Sequence, residues 1–284
     1  REDLIQRKDG LYYKKYARVP FTGAAKDFYE NGQLKEKINY NNGKAHGPWE
    51  WYWEYGLLCS RGNFKDGEKD GLWEQFYEIH ENENGQLHIR DYYKNGQRDG
   101  LYERFYRNGQ LEFRANYQDG EINGLSEEYF DNGQLESREN YKDGKRGDGL
   151  HEYYYKNGQL HGRAIFKDGE KDGLYERFYK NGRLEIRGNF KDGKMVGLHE
   201  HYYKNGQLKD KINYKDGEQH GSWESFYKNG QLHERTIYKN GKPDGLYENF
   251  DDNGQLSYKF NCKNGSKYGL HEQFHENGQL QYKI

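Results

Sequence analysis

The chain is short of the residues from which most folded cores are made. Only 32% of its 284 residues are apolar, with one Met, three Pro and little Ala, Val or Ile. That excludes an ordinary aliphatic core and, taken alone, would suit a disordered chain. The two cysteines, Cys59 and Cys262, are far apart in the sequence, which excludes a disulfide framework. No apolar run is long enough to cross a bilayer as a helix. Neither charge sign is in surplus: 45 Lys and Arg stand against 47 Asp and Glu, interleaved, for a net charge of −2. This argues against nucleic acid as a partner and gives membrane contact no support, because such binders carry a basic surplus on one face. No segment keeps a helical period. Cys-x-x-Cys, His-Glu-x-x-His and Walker spacings do not occur, so neither a metal nor a cofactor is expected. The start at Arg1 rather than Met suggests a processed or trimmed N-terminus, and no targeting segment assigns a compartment.

Aromatics and glycines take the place of what is missing. Tyr alone accounts for 29 residues, and 37 Gly recur at regular intervals. Counting a Gly as position 1, units of 24 residues begin at Gly23, Gly47, Gly71, Gly100, Gly124, Gly149, Gly173, Gly197, Gly221, Gly245 and Gly269. Five extra residues fall within 78–83 and one near Gly147; the last unit stops at Ile284. The organisation expected is an N-terminal cap over residues 1–22 and an array over 23–284 of ten full units and one partial.

In each unit two Asn-Gly or Asp-Gly signals follow short aromatic runs, which predicts two antiparallel strands joined by type I′ turns. With Asn and Gly at positions 9 and 10 as the turn, position 4 must face position 15. Position 4 is Glu in ten of eleven units and position 15 is Arg or Lys in all, as in Glu103 with Arg114 and Glu176 with Arg187. Opposite charges thus land across each hairpin, a structural ladder. The fold class expected is all-β: an elongated, twisted, single-layer antiparallel meander of 24-residue β-hairpin repeats.

The unit YxNGQLxxxxxYKDGKxDGLxExFY, and the opening GLYYKKYARVPFTG over residues 10–23 with its Pro-Phe-Thr-Gly element, resemble the MORN-type repeats of the bacterial YwqK-like antitoxin group. The resemblance covers nearly the whole chain and implies an extended hairpin array that associates with another protein, a cognate toxin in a toxin–antitoxin pair. It brings no catalytic residues. Repeats of this type are also credited with membrane attachment. A second likeness, to the aromatic choline-binding repeats of cell-wall proteins, is thinner, since those units are nearer 20 residues and use paired Trp throughout.

No catalytic residue stands out, because every Glu and Arg candidate recurs in each unit with the same partner. His151, His199 and His271 share position 3 with Tyr and Trp of other units, so they read as fillers rather than metal ligands. What does not repeat is Trp49, Trp51 and Trp53, alternating on one strand face, with Trp73 at position 3 of the next unit and the insertion just after it. Exposed Trp beside an irregular loop suits a partner-binding patch; tighter packing near the N-terminal end is the other reading. Two functions are therefore expected in order: a non-catalytic protein-interaction scaffold, or a surface or membrane-associated binder of lipid headgroups or glycans.

Overall fold

The computed structural model describes residues 3–78 and 85–284. The insertion at 78–83 therefore lies, after Glu78, outside the described residues. Those residues contain strands and turns and no helix; none is long and apolar enough to cross a membrane. The chain divides into two compact units, Arg1–Arg146 and Gly147–Ile284, and the division falls at the extra residue near Gly147.

In the first unit, β1 (Leu4–Gln6) and β2 (Tyr12–Lys14) pair as a separate small hairpin. The array follows with β3 (Gly23–Phe28), β4 (Leu34–Asn41), β5 (Lys44–Tyr52), β6 (Leu58–Lys65), β7 (Glu68–Lys69), β8 (Gly71–Phe76) and β9 (Leu87–Lys94), and the same pattern continues to Arg146. The long strands pair antiparallel in chain order, and the short β7 and the longer β8 both pair with β6. The second unit repeats the arrangement from Gly149–Tyr154 to Leu280–Lys283. Within each unit this is a single-layer all-β meander of hairpin repeats. The opening segment docks on the first repeat: the backbone N–H of Tyr12 donates to the Gly43 carbonyl at 2.9 Å, and Leu4, Tyr12 and Phe21 pack on the Ala25, Ile38 and Tyr40 cluster.

Glu103 faces Arg114 and Glu176 faces Arg187, as the charge register requires. The turn that produces this register is different from the one expected. In the repeat at Gly100 the Gly109 N–H donates to the Tyr106 carbonyl and the Tyr106 N–H to the Gln110 carbonyl, leaving a three-residue loop. Only Gly109 has positive φ (80°); Asn108 does not, so this is not a type I′ turn. A bulge between Arg104 and Phe105 offsets the odd loop length and restores the register beyond it. Two-residue turns with both residues left-handed occur at the opposite edge, where Asp119 and Gly120 have φ of 50° and 88°.

The core follows positions 3, 16 and 18, where Tyr102, Ala115 and Phe166 are buried. Sizes complement across the sheet: Trp73 lies over Gly62 and His199 over Gly188, so closely that a Cβ on either glycine would sit 2.3 or 2.2 Å from the ring. The position-2 leucines stay half open, Leu150 and Leu198 at 43%. Between them three of the position-4 glutamates, Glu74, Glu127 and Glu176, are buried and gripped from two repeats. Arg163 reaches Glu176 at 2.6 Å and Arg187 reaches it at 2.8 Å. Arg114, opposite Glu103, turns instead to Glu127 of the next repeat, while Arg90 supplies Glu103 at 3.3 Å. The ladder therefore runs through the stack as well as within single hairpins.

Candidate functional site

Successive hairpin tips are tied to one another by two hydrogen bonds that recur. The position-7 Tyr O–H donates to the position-6 carbonyl of the next repeat: Tyr29 to Tyr52 at 2.7 Å, Tyr179 to Tyr202 at 2.7 Å, Tyr203 to Phe226 at 2.9 Å. The position-9 Asn amide donates to the position-8 carbonyl of the next repeat, as from Asn31 to Glu54 at 2.8 Å and Asn181 to Lys204 at 3.1 Å. The same Asn carbonyl oxygen accepts the N–H two residues on, which explains its presence without a left-handed backbone.

The repeat at Gly47 has neither group. Trp53 replaces the Tyr, Tyr55 the Asn, and Leu57 the usual Gln of position 11. Neither tie forms toward the next repeat among the described residues, and the Trp53 indole N–H is buried with no acceptor. A buried N–H without a partner costs about 1–3 kcal/mol. Trp53 stacks on Tyr55 with centroids 6.5 Å apart, and Tyr55 and Leu57 remain 47% and 45% exposed.

Beside this tip a groove of about 570 Å³ opens. All four sequence-predicted tryptophans line it, together with Phe64, Phe76 and Tyr77. Trp49 lies 6.5 Å from Trp51 and 5.0 Å from Trp73, and Phe64 meets Trp73 edge-on at 5.1 Å. Trp73 is buried and hydrogen-bonded to the Asn63 carbonyl, and Trp49 donates to Glu36 at 2.7 Å. These two hold the wall. Trp51, 40% exposed, forms the open rim. Lys69 rests over the Trp73 ring at 4.3 Å, and burial pulls its ammonium pKa down against the attraction of Asp91. Burial likewise lowers His88, stacked on Tyr77 at 4.1 Å, and raises the Cys59 thiol, helped by the charge of Glu78. The groove is apolar and aromatic, with carboxylates at its edge and one unsatisfied donor. It suits an apolar side chain carried on a segment that offers a carbonyl or carboxylate oxygen.

The position-3 histidines act as ring fillers. His199 is 2% exposed, bonded to the Asn189 carbonyl at 2.9 Å and edge-on to Tyr214; His151 packs on Phe166. No group of three or more potential metal ligands occurs among the described residues.

Sequence reasoning found the tryptophans but not Tyr55, Leu57 and the lost ties. The signal was present in the replacement of Asn and Gln at positions 9 and 11.

The MORN repeat variant profile matches the chain nine times, at residues 21–42, 98–119, 122–143, 147–168, 171–192, 195–216, 219–240, 243–264 and 267–284, more than half of its length. The unmatched stretch, 43–97, holds all of the groove's lining residues except Glu36 and Ile38. No curated protein matches. Among solved structures, the crystal structure of TcdB2-TccC3 is 11% identical with a TM-score of 0.21 over 92% of this chain. The Photorhabdus luminescens Tc holotoxin pore gives 11% and 0.20 over 96%. The chain spans 17% of the length of each of those chains.

Proposed function

The chain belongs to the MORN repeat variant family, and from that premise we propose that it is a non-catalytic protein-interaction scaffold whose partner seats at the groove of Trp49, Trp51, Trp53 and Trp73. The observation that carries this reading is the buried Trp53 N–H, which meets no acceptor among the described residues, at a tip that lacks the Tyr and Asn of the regular ties. A partner segment that supplies an acceptor there and an apolar anchor against Trp51 removes both penalties at once. The resemblance to the YwqK-like group supports a finer reading, in which the partner is a toxin and this chain its antitoxin. Residues 1–22 serve as the cap that covers the first repeat's core.

The test uses the full chain as bait in an extract of its native host, with bound proteins identified by mass spectrometry. A partner captured by the native chain, lost with Trp51→Ala and retained with a control substitution at Lys239 supports the reading. Co-expression that relieves growth arrest by that partner supports the antitoxin role. Capture unaffected by Trp51→Ala, or binding only to polysaccharide or vesicles, overturns it.

A further inference from the structure

The balanced total charge conceals one acidic and one basic run along the hairpin tips. At position 8, the first residue of the tip loop, the first three repeats carry Glu30, Glu54 and Glu78 and the repeats at Gly149 to Gly221 carry Lys156, Lys180, Lys204 and Lys228, while the remaining tips carry Arg107, Asp131, Asp252 and Glu276. All seven side chains of the two runs are exposed. The backbone at several of these positions is pinned by the recurring Asn tie: the carbonyls of Glu54, Lys180, Lys204 and Lys228 each accept from the Asn of the preceding tip. Each ladder thus sits at a defined place on the edge of its own unit. Two strands per repeat space its charges by about 10 Å. The spacing is common to both ladders because both occupy one position of one repeat. Glu185, a carboxylate among the lysine-bearing tips, is already engaged by Arg177 at 2.8 Å, and Arg183 adds positive charge.

We propose that the glutamate ladder of one copy docks on the lysine ladder of a second copy, tip edge against tip edge. A second copy brings its carboxylates at the lysine spacing without adjustment. Tyr55 and Leu57, exposed on either side of Gly56 in the Glu54 tip, add apolar area to the contact. Exposed ion pairs contribute little singly, so the association depends on several forming in register, and salt weakens it. This inference does not rest on the groove having a protein partner.

Sedimentation equilibrium of the full chain tests it. The expected result is concentration-dependent association in low salt that weakens about tenfold or more when salt shortens the screening length to ~3 Å. Lys180→Glu with Lys204→Glu, and separately Glu30→Lys with Glu54→Lys, should each be monomeric while melting as the native chain does. Mixed together, the two variants should associate again. A native chain that stays monomeric in low salt overturns the proposal. So does a glutamate-reversed variant that associates like the native chain, which would leave the lysines to some other acidic partner.

Discussion

Two repeats of one 24-residue design, those at Gly47 and Gly173, hold their next neighbours in opposite ways. The repeat at Gly173 donates a tyrosine O–H and an asparagine amide to the next tip and grips a buried glutamate with arginines from two repeats. The repeat at Gly47 keeps the same strands and register but spends its tip on Trp53, Tyr55 and Leu57. The strand ladder tolerates the exchange because backbone pairing and the core at positions 3, 16 and 18 do not depend on the tips. Regularity stabilises the stack; its local loss leaves a seam with an aromatic lining and an unspent hydrogen-bond donor. Sites are drawn from such weakly tied regions.

The largest effects should come from the glycines that accept rings in each region. Gly62→Ala places a methyl in Trp73 and Gly188→Ala places one in His199. Overpacking of this kind costs roughly 3 kcal/mol. Both variants should melt at lower temperature by calorimetry. Only Gly62→Ala should also reduce partner capture, because Trp73 is the groove wall. Equal capture by the two would mean that the groove is not where the partner sits.

Next in size is the glutamate ladder. Burial opposes the charge on Glu176, but hydrogen bonds from Arg163 and Arg187 outweigh it and hold its carboxyl below the ordinary value of 4.5. Glu127 behaves likewise, with Arg114, Tyr129 and Arg138 overcoming its burial. Glu176→Gln should cost about 2 kcal/mol, less than a fully buried pair because the two arginines can still reach water. The native pKa lies below the unfolded one, so this contribution is complete above pH 4.5 and declines as pH falls through the native value. His199 and His201 have native values below 6.5 because of burial. Their contribution is therefore present above pH 6.5 and begins to decline below it. Melting temperature against pH should fall in two stages, and His199→Tyr, using the filler natural at Tyr175, should reduce the upper stage and spare the lower.

The division between what was legible in the sequence and what was not follows the range of the contacts. Pairing of Glu103 with Arg114 lies inside one hairpin, so alternating residue types disclosed it. The second arginine on Glu176 and the bond from Tyr179 to Tyr202 join different repeats. No periodicity within a single unit encodes them. The turn was misread for a related reason: Asn-Gly is the usual mark of a two-residue turn, but Asn108 is there for its side chain and a bulge hides the extra loop residue from the register. The tryptophans stood out because they break the pattern. The charge runs at the tips are invisible in a total along the chain, because they exist only along one repeat position.

The smallest effect is the most discriminating, because its sign reverses between the two regions. Tyr179→Phe removes one tie in a regular repeat and should cost about 1 kcal/mol. Trp53→Tyr places a phenol where the neighbouring repeats use one to reach the next tip. If the seam is open only because that group is missing, the substitution removes the buried, unpaired indole N–H and supplies the tie. It should then stabilise the chain by about 1 kcal/mol while weakening partner capture. A stability gain together with a binding loss is the signature of a position kept irregular for function. Destabilisation by Trp53→Tyr would mean instead that the indole is kept for its packing on Tyr55, and that the repeat at Gly47 is no more than a differently filled version of the repeat at Gly173.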